Sequence, residues 1–174
     1  GVILGHSELG DSLEILHKKL LSLFNQKVSL NKLVILVGEN WNEFEKNNPE
    51  QIAKLMRKKC EIIFKDIPAE FLTKVIIGYE PKWGSRGSGR DDMPPPQPEF
   101  ISACIVEIRN YIKEKYEDKI KPLFIYGGRS TSERTKQILA DENVDGLILG
   151  SACNTVKKTL DIANTMEEVC GSRR

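Results

Sequence analysis

The sequence predicts one α/β domain over residues 1–174, built from about five β-α units. Three observations support this fold class: short apolar runs recur along the chain, apolar residues at helical spacing separate them, and glycine with polar residues follows each run. The runs are continuous rather than alternating, which is typical of strands buried on both faces of a parallel sheet. We predict strands at residues 2–4, 33–37, 75–77, 123–126 and 147–149.

Each predicted strand is followed by apolar residues at helical spacing. The second helix has the clearest start, because Asn48 suits the N-cap and Pro49 suits the first helical position. A shorter helix is expected after Ser130 or Thr131. The helix faces are marked, in chain order, by Leu13, Leu16, Leu20 and Leu23; by Ile52, Leu55, Met56, Ile62 and Ile63; by Ile101, Ile105, Ile108 and Ile112; by Ile138 and Leu139; and by Val156, Leu160 and Ile162.

Alternating strands and helices imply parallel strands joined by right-handed crossovers. This order is compatible with an open doubly wound sheet and with a β/α barrel, and periodicity does not separate the two. Residues 84–98 form the only long Gly/Pro-rich loop, and such a loop in a compact domain is usually functional or mobile. It follows Glu80 closely, so we expect the chemistry at this end of the strands.

The composition excludes several classes of function. Lys and Arg number 26 against 25 for Asp and Glu, which gives no electrostatic footprint for nucleic acid or an anionic membrane, so we expect a small-molecule partner. The four cysteines lack the close pairs of zinc and thiol-redox sites, so we interpret them as reduced thiols of a cytoplasmic protein without a metal or cofactor. The longest apolar runs are too short to span a bilayer, and the opening run at residues 2–4 has no basic leader before it, as if the sequence starts inside a fold.

Two candidate catalytic residues lie at predicted strand ends. Glu80 follows an apolar strand and precedes Pro81, and a carboxylate desolvated there under a closing loop is a competent base near neutral pH. His6 ends another strand, whereas the second histidine, His17, lies within a helical pattern and is expected at the surface. The alternatives are a solvent-facing glutamate at a strand end and a hydrogen-bonded histidine in a tight turn.

Glycine turns follow the last two strands. Gly127-Gly128, with Arg129 next, and Gly150-Ser151 are turns that can direct backbone N–H groups and a helix dipole at a phosphate, although such turns are also routine connectors. Residues 84–89 lack the Lys-Ser/Thr ending of a nucleotide-binding loop, and prolines follow them, so we interpret this segment as flexible. Trp83 would then be the hinge of a loop whose tip closes over a ligand.

Several motifs in order resemble the triosephosphate isomerase family. Residues 3–8 (Ile-Leu-Gly-His-Ser-Glu) resemble the segment around its electrophilic histidine, and residues 78–83 (Gly-Tyr-Glu-Pro-Lys-Trp) resemble the segment with its catalytic glutamate. Residues 126–128 and 144–150 resemble its two phosphate-binding regions, and Gly38-Glu39 fits the end of its fifth strand. The resemblance covers nearly the whole chain and implies the later part of a (β/α)8 barrel, from the fourth strand onward, as a partial barrel.

The resemblance also implies a reaction. In this family a glutamate removes a proton next to a carbonyl, a neutral histidine polarises the enediolate oxygens and a lid excludes water, interconverting glyceraldehyde 3-phosphate and dihydroxyacetone phosphate in glycolysis and gluconeogenesis. Glu80 would be the base and His6 the electrophile. The remaining implied site residues are Gly128, Arg129, Gly150 and Ser151 for phosphate, and Trp83, Gly84, Gly87 and Gly89 for the lid.

Departures from the family pattern leave alternatives open. The family's barrel has about 250 residues, and its Asn-x-Lys motif has no counterpart here. Leu9-Gly10 replaces a usual arginine pair, the lid motif is altered, and Arg129 replaces a serine that meets the closed lid in this family. Three interpretations of Arg129 stay open: a side chain that binds phosphate, a sign of a different substrate, or an exposed arginine near a helix start. The alternatives are an isomerase of another small sugar phosphate and a non-catalytic fragment that binds a phosphorylated ligand or a partner. Five units cannot close a barrel of eight strands, so we expect a second copy (a homodimer or other homo-oligomer) or a further N-terminal segment to cover the sheet edges.

Overall fold

The computed structural model describes residues 1–85 and 87–171. Arg86, which belongs to the predicted lid, and residues 172–174 lie outside the described residues. Five parallel strands form one sheet in the order β1-β2-β3-β4-β5, so each strand pairs with its neighbour in sequence. The strands are β1 (Val2–Leu4), β2 (Leu33–Val37), β3 (Val75–Tyr79), β4 (Leu123–Gly127) and β5 (Gly146–Ile148). All five predicted strands are confirmed: the bounds of β1 and β2 match those predicted, and those of β3, β4 and β5 differ by one or two residues.

Six α-helices lie between and after the strands of the described chain. Five of them are the predicted helices, and the sixth, a short helix directly after β2, was not predicted. The bounds are α1 (Leu13–Asn25), α2 (Trp41–Lys46), α3 (Pro49–Ile63), α4 (Pro98–Tyr116), α5 (Ser132–Leu139) and α6 (Val156–Gly171). The order confirms an α/β fold of five β-α units in an open sheet, which fits the partial (β/α)8 barrel that the resemblance implies.

The helix starts follow from local hydrogen bonds. Asn48 caps α3 by accepting from the Gln51 N–H, the Gln51 side chain returns a bond to the Asn48 N–H, and Pro49 takes the first helical position. Thr131 caps α5 by accepting from the Arg134 N–H, which places the start of that helix at Ser132. The predicted starts of both helices are therefore confirmed.

The core lies between the sheet and its helices. Leu20, Ile35, Met56 and Ile101 are fully buried in it, as expected of helix and strand positions that face each other across a layer. The edges are less covered: Ile3 of β1 is 46% exposed, and all three residues of β5 are only partly buried. Both edge strands therefore leave apolar surface and backbone open in the described chain.

The structure also bears on the cysteines, on His17 and on membrane-spanning helices. All four cysteines are free thiols, as predicted; Cys60 and Cys104 are buried and Cys153 and Cys170 are half-buried. His17 was wrongly expected at the surface, because it is half-buried and its Nδ1 contacts the carbonyl of Ile63 at 3.1 Å. Within the residues that the structure describes, no helix combines the length and the apolar character needed to cross a membrane.

Candidate active site

The candidate active site lies at the carboxyl ends of the strands, where the topology of a parallel sheet brings the polar residues of successive strand ends to one edge. The ladder between β2 and β3 continues past the strands, because the Glu80 N–H donates to Val37 O (2.8 Å) and the Lys82 N–H donates to Glu39 O (2.9 Å). A Cβ on Gly38 would lie 1.7 Å from the Glu80 carbonyl oxygen, so only glycine permits this approach. The backbone of Glu80 is therefore part of the sheet.

The Glu80 side chain is directed inward and is only 5% exposed as a residue. Its carboxylate accepts hydrogen bonds from the Ser7 N–H (2.9 Å), the Ser7 hydroxyl (3.2 Å) and the Ser85 hydroxyl (3.4 Å). Its Cγ lies beside Gly127, where an added Cβ would meet it at 3.3 Å. The carboxylate is thus enclosed by the end of β1, the end of β4 and the loop that follows it.

His6 lies beside this carboxylate. Its Nε2 is 3.7 Å from Glu80 Oε1, and its Nδ1 accepts from the Glu8 N–H at 3.3 Å at the start of a short 3-10 turn, Ser7–Leu9. An imidazole whose Nδ1 accepts a hydrogen bond carries its proton on Nε2 when it is neutral. The N–H of His6 is then on the side of Glu80, which is the side where a substrate oxygen would need it.

The predicted hinge residue Trp83 is 3% exposed and anchored at a buried carboxyl group. Its indole Nε1–H donates to Glu39 Oε1 at 2.7 Å, and the Tyr79 hydroxyl donates to the same oxygen at 3.0 Å. Burial raises the pKa of Glu39, and the two hydrogen bonds oppose that rise. Burial and the neighbouring Glu39 raise the pKa of Tyr79 well above its ordinary value. Trp83 is therefore fixed at the root of the loop.

The other predicted lid residues differ in burial. Gly84 is buried, whereas Gly87 and Gly89 are exposed and adopt positive φ angles of 79° and 77°. The Gly87 N–H donates to both carboxylate oxygens of Asp91 at 3.1 Å, which bends the loop back on itself. The glycines thus lie at the root and in the outer part of one loop, as their order in the sequence implies.

Arg129, a predicted phosphate ligand, is half-buried and directed at this loop. Its guanidinium donates to the carbonyls of Gly84 (3.3 Å), Asp91 (2.9 Å) and Met93 (2.6 Å). Of the predicted alternatives, an exposed arginine is wrong, because these contacts hold the side chain on the protein. Its role in phosphate binding stays a prediction.

The remaining predicted phosphate residues lie at the ends of β4 and β5. Gly128 has a φ of 156°, and a Cβ there would come 2.2 Å from the Tyr126 hydroxyl oxygen, so this position requires glycine. Gly150 and Ser151 are exposed, and Ser151 starts a 3-10 turn. A cavity of about 220 Å³ brings Ser151 together with the residues at the start of α5, which are Ser130, Thr131 and Ser132.

Sequence reasoning missed three members of this region. Ser85 contacts the carboxylate of Glu80, Arg134 contacts the Pro96 carbonyl (2.7 Å), and Lys59 is buried with its ammonium on Gly38 O and Glu43 Oε2, both at 2.8 Å. Each of these side chains contacts its partner only because the fold brings the two together. Their residue types alone carry no signal for these contacts.

Comparison with known proteins gives consistent matches. The family model described as triosephosphate isomerase matches residues 1–166. The chain is 32% identical to the triosephosphate isomerase of Wigglesworthia glossinidia brevipalpis over 96% of its length, and 31% identical to that of Buchnera aphidicola subsp. Cinara cedri over 94%. It is 30% identical to that of Caldanaerobacter subterraneus subsp. tengcongensis, also over 94%. The chain spans 63–64% of the length of these curated relatives.

Proposed function

Because the chain belongs to the triosephosphate isomerase family, we propose that its protein interconverts glyceraldehyde 3-phosphate and dihydroxyacetone phosphate. Glu80 is the proposed base and His6 the proposed electrophile. One observation carries the proposal: Glu80, 5% exposed at a strand end, has the Nε2 of His6 3.7 Å from its carboxylate. A base and a proton donor so close together can act on adjacent atoms of one small substrate.

The proposed steps follow the known mechanism of the family. The Glu80 carboxylate takes a proton from the carbon next to the substrate carbonyl, and the electron pair of that C–H bond moves to form an enediolate. The Nε2–H of His6 donates to the oxygen that gains negative charge. Glu80 then returns its proton to the neighbouring carbon, while His6 Nε2 gives its proton to one enediolate oxygen and takes the hydroxyl proton of the other, so that carbonyl and hydroxyl exchange places without a net change in protons. The acceptor role of the His6 Nδ1 supports this use of Nε2.

We further propose that the backbone around Gly128 and Gly150-Ser151 binds the substrate phosphate. The glycine-requiring turn at Gly128, close to the start of α5, supports this role, because helix starts and glycine turns expose N–H groups to anions. Phosphate binding by Arg129, which the sequence predicts, is left out of this proposal. A phosphate would have to compete for its guanidinium with three carbonyl oxygens.

The loop after Glu80 favours a second candidate, the isomerisation of another small sugar phosphate. Ser85 places a hydroxyl of this loop on the proposed base. A polar group at that position is suited to a substrate with a further hydroxyl group.

Two other predictions from the sequence stay predictions. The cytoplasmic location is supported by the four free thiols. A second copy of the chain or a further segment would cover the open edges of the sheet.

A coupled assay with triose phosphates tests the proposal on the purified chain, alone and supplemented with an N-terminal segment of a full-length relative. Glu80→Gln should lower turnover by roughly 10²-fold or more, because the neutral amide cannot accept the proton. Glu70→Gln is the matched control, because Glu70 is exposed in the short 3-10 helix Ala69–Leu72 that precedes β3. Its turnover should stay within about twofold of the wild type.

The same assay separates the alternatives. Undiminished turnover in Glu80→Gln would show that the base is wrongly assigned. Turnover of four- or five-carbon sugar phosphates in place of triose phosphates would favour the second candidate. Phosphate binding without turnover of any sugar phosphate, in both forms of the wild-type protein, would refute the enzyme and favour a non-catalytic, ligand-binding chain.

A further inference from the structure

The guanidinium of Arg129 is bound by the loop that follows Glu80. Nη1 donates to Asp91 O, Nη2 to Met93 O and Nε to Gly84 O, and the Arg129 backbone N–H donates to Gly84 O as well at 3.3 Å. The carbonyls come from both limbs of the loop. One side chain from the end of β4 therefore joins the root of the loop to its returning limb.

Arg134, five residues further on in the first turn of α5, extends the same contact. Its Nη2 donates to Pro96 O at 2.7 Å, and its Nε donates to Arg129 O at 3.4 Å. No ion pair of either arginine is found among residues 1–85 and 87–171. Their described hydrogen bonds go to backbone carbonyls, and both guanidinium groups also act on the Tyr126 hydroxyl, whose pKa they lower against the larger effect of burial. Hydrogen bonds with a charged donor are stronger than neutral ones, and the planar guanidinium presents several donors at once.

The held carbonyl of Gly84 belongs to the residue directly before Ser85. The Ser85 hydroxyl donates to Glu80 Oε1 at 3.4 Å and lies 3.4 Å from the Ser7 hydroxyl. Because Arg129 binds the Gly84 carbonyl through both its backbone and its side chain, it limits where Ser85 can lie. The contacts therefore connect Arg129 with the Glu80 carboxylate through two consecutive loop residues.

We propose that Arg129 is a positioning residue that acts through this loop rather than on the substrate. It binds the returning limb of the loop to the β4–α5 segment and places the Ser85 hydroxyl on Glu80. The role of Glu80 as base rests on the proposed function, whereas the placement of Ser85 does not. Arg134 supports the same limb at Pro96.

Hydrogen exchange followed by mass spectrometry tests the placement on the purified chain. The informative amides are those of Gly87, Arg90 and Met93, which are hydrogen-bonded within the loop. In Arg129→Met they should exchange roughly tenfold faster or more, because three charged hydrogen bonds to the loop are lost. Arg129→Lys, with one compact ammonium in place of three spread donors, should give an intermediate increase.

The matched control is Arg57→Met, because Arg57 is partly exposed on α3 and pairs with Glu61 and Glu114 instead of the loop. Its loop amides should exchange at the wild-type rate. Free guanidinium ion at millimolar concentration should restore slow exchange in Arg129→Ala, whereas potassium ion at the same ionic strength should not. Wild-type exchange rates in both Arg129→Met and Arg129→Ala would overturn the proposal.

A second readout tests the path through Ser85. The ¹³Cδ NMR signal of Glu80, assigned with Glu80→Gln, should shift in the same direction in Ser85→Ala and in Arg129→Met. The double variant should show no larger shift than Ser85→Ala alone, because both changes remove the same contact. Additive shifts would overturn the route through Ser85.

Neither readout needs turnover, so the inference and the proposed function fail separately. A titration with inorganic phosphate completes the test. The affinity of Arg129→Met for phosphate should equal that of the wild type, and if the wild type binds no phosphate, neither should the variant. A tenfold loss of phosphate affinity with unchanged loop exchange would identify Arg129 as a phosphate ligand and overturn the proposal. Undiminished turnover in Glu80→Gln would refute the base and leave the result for Arg129 intact.

Discussion

The hydrogen bond between Trp83 and Glu39 gives the sharpest stability prediction. Trp83→Phe keeps an aromatic ring against Phe44, whose centroid lies 4.1 Å from that of Trp83, but removes the indole N–H that donates to Glu39 at 2.7 Å. Glu39 is fully buried, and its Oε2 has no hydrogen-bond partner in the described structure. The loss would leave the Tyr79 hydroxyl as the side-chain donor to a buried carboxyl group.

The expected cost of this lost bond is about 1.5–3 kcal/mol when the carboxyl group is charged and about 0.5–1.5 kcal/mol when it is neutral. The matched control is Trp41→Phe, which makes the same truncation in the same aromatic cluster at a half-buried residue. Urea unfolding followed by far-UV circular dichroism measures both variants at pH 8 and near pH 5. Trp83→Phe should lose more stability than the control by these amounts, with the larger gap at pH 8. Equal losses in the two variants at pH 8 would refute the reasoning.

Three further predictions concern buried groups around the site. Burial raises the pKa of Glu39 above its ordinary value of 4.5, so the folded chain binds this proton more tightly than the unfolded chain does. The stability of the wild type should therefore fall relative to that of Glu39→Gln as the pH rises above 4.5. Urea unfolding of both proteins over a range of pH checks this, and a stability difference that does not change with pH would contradict it. Gly38→Ala should cost about 3 kcal/mol or prevent folding, because its Cβ would meet the backbone oxygen of the proposed base at 1.7 Å, whereas Gly171→Ala, with open space around it, should change the melting temperature little. Lys59→Met should cost about 1–3 kcal/mol, because the Gly38 carbonyl and the Glu43 carboxylate lose the buried ammonium that donates to both. The exposed pair broken in Lys54→Met should cost about 0.5 kcal/mol or less in the same unfolding assay, and equal costs would contradict the role of burial.

The order of elements was predictable because the buried strands of a parallel sheet leave continuous apolar runs. Helix α2 was missed because its six residues are too short to show an apolar stripe. A signal was nevertheless present: Asn40 and Glu43 form a capping box, in which each side chain accepts from the backbone N–H of the other. Short helices of this kind are better recognised from their caps than from periodicity.

The candidate site was predictable in part. Glu80 and His6 were each predicted at a strand end, the resemblance implied that they act as base and electrophile, and their side chains lie 3.7 Å apart. The carbonyl partners of Arg129 were not predictable, because backbone oxygens carry no residue signature and lie 36–45 residues away. Full burial of Glu39 was equally hidden, since its position after a strand also suits a solvated glutamate.

The backbone of Glu80 is held by the Val37 carbonyl, and the next bond of the ladder joins Lys82 to Glu39. The position of this glutamate is therefore set before the long loop begins. Substitutions and insertions in the loop can accumulate during evolution without moving the Cα of Glu80. A family that retains this ladder can exchange one loop for another and keep the same base, so the loop is where new substrate preferences can arise at the lowest structural cost.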